Sequence, residues 1–275
     1  MTGSAKKADT DGVIYVATGP EYRALAAQSA RTLKAHNPHL PVDLFTDDTA
    51  AEGIGLFDAV WPVPLVHDRA KLECIALSRF DRTLYLDCDT LILKPLGDFF
   101  DIAERFDLAL AHDVRRKSSL VREGFAEVTP YAFPQLNSGV MLYRKTEAML
   151  SFFEAWRSQF HAHPEIKRDQ VFLKDLLWSS DLRFYVLPPE FNLRRVTMLD
   201  AWEPLDARAT IIHSHRLLDH LRIKGGARIC DAETILRLER EALRDEWQQV
   251  QHSETNASDA FGDIGLRALR EDHLE

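Results

Sequence analysis

The sequence predicts an α/β protein built around a mostly parallel, Rossmann-like central sheet of about six or seven strands flanked by helices. Three observations carry that expectation. Short apolar runs of strand length alternate with stretches whose apolar residues recur at the 3.6-residue helical period. Their order is strand, helix, strand, which is what a parallel sheet produces. Finally, 275 residues with 45% hydrophobic and 28% charged side chains match one α/β domain with a continuous core.

The elements follow in order. Residues 1–11, where Lys6, Lys7, Asp9 and Asp11 are interspersed with small residues, read as a flexible leader. The main domain is expected over residues 12–230. Val13 to Ala17 (VIYVA) reads as its first buried strand. Tyr22, Leu25, Ala26, Ser29 and Leu33 then share one helical face, and Pro20 stands where that helix begins, because the first turn needs no N–H from it. Pro41 to Thr46 (PVDLFT) returns as a strand. A second helix is expected over Arg69 to Phe80, with Leu72, Ile75, Ala76 and Phe80 inward, feeding directly into the strand Thr83 to Leu86. Further strands are expected at Leu108 to Ala111, Val140 to Arg144, Arg183 to Leu187 and Thr210 to His213, with helices at Thr146 to Phe160 and Asp169 to Trp178.

Past Gly225-Gly226 the pattern changes. Residues 231–251 read as a charged C-terminal helix with Leu236, Leu243, Trp247 and Val250 on one stripe, which either the core or a second copy of the chain, in a homodimer, can cover. Residues 252–275 read as a polar tail able to carry a short helix.

Composition excludes several functions. A net charge of -9 argues against nucleic-acid binding, which needs a basic face to displace counterions. Met1 to Gly12 lacks the apolar core of a signal peptide, and no stretch approaches the roughly 18 to 20 apolar residues of a membrane span. A cytoplasmic location is the expectation. Cys74, Cys88 and Cys230 are unclustered and lack zinc spacing, so free thiols are expected.

The chemistry concentrates where the strand Thr83 to Leu86 ends, at Asp87 and Asp89. Ligands of an open parallel sheet collect at the carboxyl ends of its strands. Two carboxylates one residue apart there can each offer an oxygen to a hard cation whose remaining positions go to phosphate and water. A lone D-x-D is a common surface turn, and its context gives it weight. Lys71-Leu72 and Leu77-Ser78-Arg79-Phe80 precede Leu84-Tyr85-Leu86-Asp87-Cys88-Asp89-Thr90. Downstream come Asn137-Ser138-Gly139-Val140-Met141-Leu142-Tyr143, then Arg168-Asp169-Gln170, Phe191-Asn192-Leu193 and Ile211-Ile212-His213.

In that order these elements resemble glycosyltransferase family 8, the glycogenin and bacterial lipopolysaccharide galactosyltransferase group, over roughly residues 13–216. The resemblance implies a GT-A fold, a nucleotide-diphosphate sugar donor, usually a UDP-sugar carrying glucose, galactose or GlcNAc, and a glycan or other hydroxyl acceptor. It also implies manganese or magnesium and retention of anomeric configuration. By position, Asp87, Asp89 and His213 would be the metal ligands, and two carboxylates with one imidazole suit manganese better than calcium. Lys71 would approach the diphosphate or order the neighbouring carboxylates, with Cys88 inside the same donor-binding stretch. Ala17, Thr18 and Tyr22 match the turn that holds the nucleobase. Asn137, Asp169 and Gln170 match polar groups around the reacting carbon.

The chain also departs from the family. After the metal histidine the family reads H-x-x-G-x-x-K-P-W, whereas here His213-Ser214-His215-Arg216-Leu217-Leu218 stands. Arg216, His215 or Lys224 is left to supply the missing positive charge, and His215 competes with His213 as ligand. Gly19-Pro20 replaces the N-D of the first turn. Alternatives of other classes are a sugar-nucleotide-binding protein of this fold without transfer activity, and a nucleotidyl- or phosphotransferase using the D-x-D. The basic stretch Val114 to Arg122 reads as a lid or as a solvated face.

Overall fold

The computed structural model describes residues 10–116 and 118–252. The expectations for residues 1–9 and 253–275, and for the Trp247 and Val250 side chains, lie outside the described residues. The chain divides into two compact units at Cys230/Asp231.

In the first unit the strands are β1 Asp11–Ala17, β2 Val42–Thr46, β3 Ala59–Pro62, β4 Arg82–Leu86, β5 Thr90–Ile92, β6 Leu108–His112, β7 Leu136–Arg144, β8 Phe184–Leu187 and β9 Ile211–His213. The helices are α1 Pro20–His36, α2 Lys71–Cys74, α3 Ser119–Arg122, α4 Glu147–Ala162, α5 Gln170–Ser179 and α6 Asp219–Arg222. Seven strands form one sheet in the order β3-β2-β1-β4-β7-β6-β8. The first four pair in parallel, β7 runs against both β4 and β6, and β8 pairs parallel to β6. The carboxyl ends of β4 and β6 therefore share one edge of the sheet. Both faces of the sheet's centre are covered, which explains why Gly12 to Tyr15 of β1 and Thr83 to Leu86 of β4 are buried consecutively rather than alternately.

The helical period read from the sequence places α1 correctly, with Leu25, Ala26, Ser29 and Leu33 buried. Tyr22 departs from it and is 44% exposed. It sits in the first turn of α1, at the sheet edge, where the core stops. The expected helix over Arg69 to Phe80 is shorter: one α-turn, α2, then a 3₁₀ turn over Ile75–Leu77. Ser78 ends it with extended backbone, φ -48° and ψ 138°, and its hydroxyl meets Thr83 Oγ1 at 2.7 Å and accepts Phe80 N–H at 3.2 Å. Leu72, Ile75 and Phe80 are buried all the same. Two strands had no sequence signal: β3, a half-exposed edge, and β5, three residues long. The His213 strand also lies elsewhere than expected. β9 is outside the main sheet and pairs antiparallel with β5 in a two-stranded ribbon.

Cys74 and Cys88 are buried, Cys230 is exposed, and all three are free thiols. In the second unit α7 spans Ala232–His252, and Asp231 caps its start by accepting from Thr234 N at 2.7 Å. Among the described residues no helix is long and apolar enough to cross a membrane.

Candidate active site

The turn between β4 and β5 carries the two aspartates to the sheet edge. Asp87 N–H donates to Gly139 O at 2.8 Å, and Thr90 Oγ1 donates to Asp87 O at 2.9 Å. Because β5 pairs with β9 through Thr90 and His213, the same ribbon brings the imidazole alongside. His213 Nε2 lies 3.3 Å from Asp89 Oδ1 and 3.7 Å from Asp87 Oδ2. One ligand atom from each of the three residues falls within 4.8 Å of the others.

The hydrogen-bond network assigns the His213 tautomer. A backbone N–H can only donate, and that of Gly139 points at Asn137 Oδ1, 3.0 Å away. The Asn192 amide group facing that oxygen must then be its NH₂, at 3.0 Å, which turns Asn192 Oδ1 towards His213 Nδ1, also at 3.0 Å. An acceptor opposite Nδ1 places the proton there. Nε2 is left as a lone pair aimed at the aspartates, the form in which imidazole binds a metal. Gly139 also makes the room: a Cβ there would stand 2.0 Å from His213 Cε1 and 2.7 Å from Asp87 Oδ2. The donor set and this cradle fit a divalent cation.

Charged and polar groups surround the cluster. Buried Lys71 donates to Ser138 Oγ at 2.7 Å, and its ammonium lies 3.5 Å from Asp169 Oδ2 and 3.8 Å from Asp87 Oδ1. Arg69 Nε is 3.1 Å from Asp169 Oδ1, at an angle too poor for a hydrogen bond. Gln170 Nε2 donates to Asp113 Oδ2 at 2.9 Å, and Arg194 Nη1 donates to His213 Nε2 at 3.2 Å. Tyr85 O–H donates to Asp87 Oδ1 at 2.5 Å. Burial, and then the Asp87 carboxylate, push the Tyr85 pKa well above the usual range, so the phenol stays a donor.

Of the residues singled out in the sequence, Lys71, Asp87, Asp89, Asn137, Asp169, Gln170 and His213 come together at this edge. Ala17 and Thr18 lie at the end of β1, where Val16 O accepts from the buried Cys88 thiol at 3.3 Å. Arg216 is 3.5 Å from Asp219 Oδ2, and His215 is exposed. Sequence reasoning missed Asp113, Arg69 and Arg194. Asp113 had a signal: it follows β6 as Asp87 follows β4.

A mostly parallel α/β sheet with a D-x-D pair and a histidine gathered at its carboxyl edge is an arrangement of the GT-A α/β type. Residues 81–215 match the family described as nucleotide-diphospho-sugar transferase. That match covers just under half of the chain, and the sheet order agrees with it. Over 170 residues it is 28% identical to glucoside xylosyltransferase 1 of Rattus norvegicus, covering 54% of this chain and 37% of that protein. Among solved structures, the galactosyltransferase LgtC in complex with donor and acceptor sugar analogs superposes with a TM-score of 0.59 at 15% identity, over 84% of this chain and 96% of LgtC. The glycosyltransferase GlyE of Streptococcus pneumoniae superposes with a TM-score of 0.52 at 19% identity, over 74% of this chain and 54% of GlyE. The chain thus spans well under two thirds of the rat protein and of GlyE.

Proposed function

We propose that the protein is a metal-dependent glycosyltransferase that moves a hexose from a UDP-sugar to a hydroxyl acceptor with retention of configuration. The observation that carries this reading is the His213 Nε2 lone pair, set by Asn192 against Asp87 and Asp89 on the strand edge where such sheets bind ligands. Asp87, Asp89 and His213 would hold manganese or magnesium. A bound divalent cation supplies Lewis-acid stabilisation of the charge that develops on the departing nucleoside diphosphate.

The chain's own residues do the rest. Lys71 adds a positive charge beside Asp87, on the diphosphate side. Ala17, Thr18 and Tyr22 line the end of β1, where the base would lie, with Cys88 buried behind the turn. Asn137 and Gln170, joined through Asp113, present amides to the sugar. In the transfer the bond between the anomeric carbon and the phosphate oxygen breaks, the acceptor oxygen bonds to that carbon, and the acceptor proton leaves to a phosphate oxygen. Same-face attack is favoured over a covalent intermediate on Asp169. Lys71 and Arg69 each face one of its two oxygens, and an ion-paired carboxylate is a poor nucleophile. Arg216, paired with Asp219, is the weaker member of the donor set.

Purified protein with manganese should release UDP from a UDP-sugar, and Asp89→Asn should lower that release about a thousandfold. If no nucleotide sugar gives metal-dependent release, and no nucleotide binds in a metal-dependent way, the reading fails. Metal-dependent binding without release would favour a sugar-nucleotide-binding protein.

A further inference from the structure

Arg194 belongs to none of the elements that carry the family resemblance, yet it reaches the centre of the cluster. We propose that Arg194 is the cation that grips the donor's diphosphate, and that it is freed to do so when His213 gives its lone pair to a metal. The proposal rests on the donor reading above and assigns that reading's missing positive charge.

Three observations support it. Arg194 Nη1 donates to His213 Nε2 at 3.2 Å, the same lone pair that the Gly139, Asn137 and Asn192 relay exposes. One lone pair serves one partner, so Arg194 and a metal ion exclude each other at that nitrogen. Second, among the described residues the guanidinium has no strong anchor elsewhere. Its Nε donates to no acceptor, and the facing carboxylate oxygen, Asp113 Oδ1, is 3.7 Å away, beyond hydrogen-bond reach. A planar fork with spare N–H groups, its side chain 22% exposed, suits the paired oxygens of a phosphate. Third, the neighbouring cations are engaged. Lys71 is held by Ser138 and faces Asp87 and Asp169, Arg69 faces Asp169, and Arg216, one of the three residues the sequence left to supply the missing charge, faces Asp219.

This exchange predicts effects of opposite sign. In Arg194→Gln the rival for Nε2 is weakened and a positive charge is gone, so manganese alone should bind about threefold tighter or better. UDP at saturating manganese should bind about tenfold weaker or worse, the cost of one charge-assisted contact. Arg194→Lys, which keeps the charge and loses the fork, should recover part of the UDP affinity.

Titration calorimetry of manganese alone, then of UDP with saturating manganese, tests this on the full chain, with a thermal melt as the folding control for each variant. Unchanged UDP affinity in Arg194→Gln, or manganese binding that weakens, overturns the proposal. Should Arg194→Gln fail to fold, Arg194→Lys decides: UDP affinity equal to wild type overturns it, and a loss of several-fold supports it. If wild-type protein binds both ligands and Arg194→Gln loses neither, the donor reading stands and this proposal alone falls. Wild-type protein that binds neither sinks both.

Discussion

Two clusters of histidine and carboxylate flank α2, and they end in opposite chemistry. Lys71 of α2 faces Asp87, Asp169 and Ser138, whereas Glu73, two residues on, meets His67 and His161. By composition alone either group can hold a metal. Their surroundings separate them. His67 Nδ1 accepts the Arg69 backbone N–H at 3.2 Å, so its proton is on Nε2, which donates to Glu73 Oε1 at 3.2 Å. His161 Nε2 lies 2.5 Å from the same oxygen, and Arg157 Nη1 donates to Oε2 at 3.1 Å. Glu73 is saturated by donors and His67 has no free lone pair, so the cluster is a clasp that ties α2 to α4. At His213 the relay runs the other way and turns the Nε2 lone pair towards Asp87 and Asp89, where Arg194 Nη1 donates to it. The comparison teaches that the partner of the far ring nitrogen, more than the list of candidate ligands, separates a metal-type site from a structural one.

Asn192→Ala tests this contrast most severely. Without its Oδ1 the His213 tautomer is no longer held, and manganese affinity should fall about 10- to 100-fold. His67→Gln, at the other cluster, should leave it unchanged. Equal losses by calorimetry would break the distinction.

Glu73→Gln should act on stability instead, removing about 1–3 kcal/mol and several degrees of melting temperature while metal-dependent UDP binding survives. Burial works to raise the Glu73 pKa, but His161, Arg157 and His67 outweigh it, so its folded value lies below the ordinary 4.5. The clasp's stabilisation is therefore fully present above that ordinary value and is lost as pH falls through the lower folded one. Melting from pH 7 down to pH 3 (about) should show a steeper acid loss in wild type than in Glu73→Gln. The smallest effect belongs to Tyr85→Phe. Losing one hydrogen bond to Asp87 should weaken manganese binding roughly two- to tenfold. A larger loss would mean that Tyr85 holds the turn itself in place.

The sequence was most informative where order is local. The period of α1, the N-terminal Pro20, and the apolar run that ends at Asp87 each express a rule acting over a few residues. The same logic would have flagged Asp113 after β6. It overextended α2, because Leu72, Ile75 and Phe80 satisfy the same burial from one turn and a 3₁₀ segment. It also gave no sign that β5 and β9 leave the sheet, since three-residue strands carry no periodicity.

What the sequence by itself determined was the alternation of strands and helices, the D-x-D at a strand's carboxyl end, and the order of the elements behind it. Only the tertiary structure decided that His213 rather than His215 meets the aspartates, which ring nitrogen holds the proton, and that Arg194 reaches the lone pair. The physical reason is range. Burial patterns are written in neighbouring residues, but a tautomer depends on single hydrogen bonds, and Asn192 meets Asn137 across 55 positions of chain.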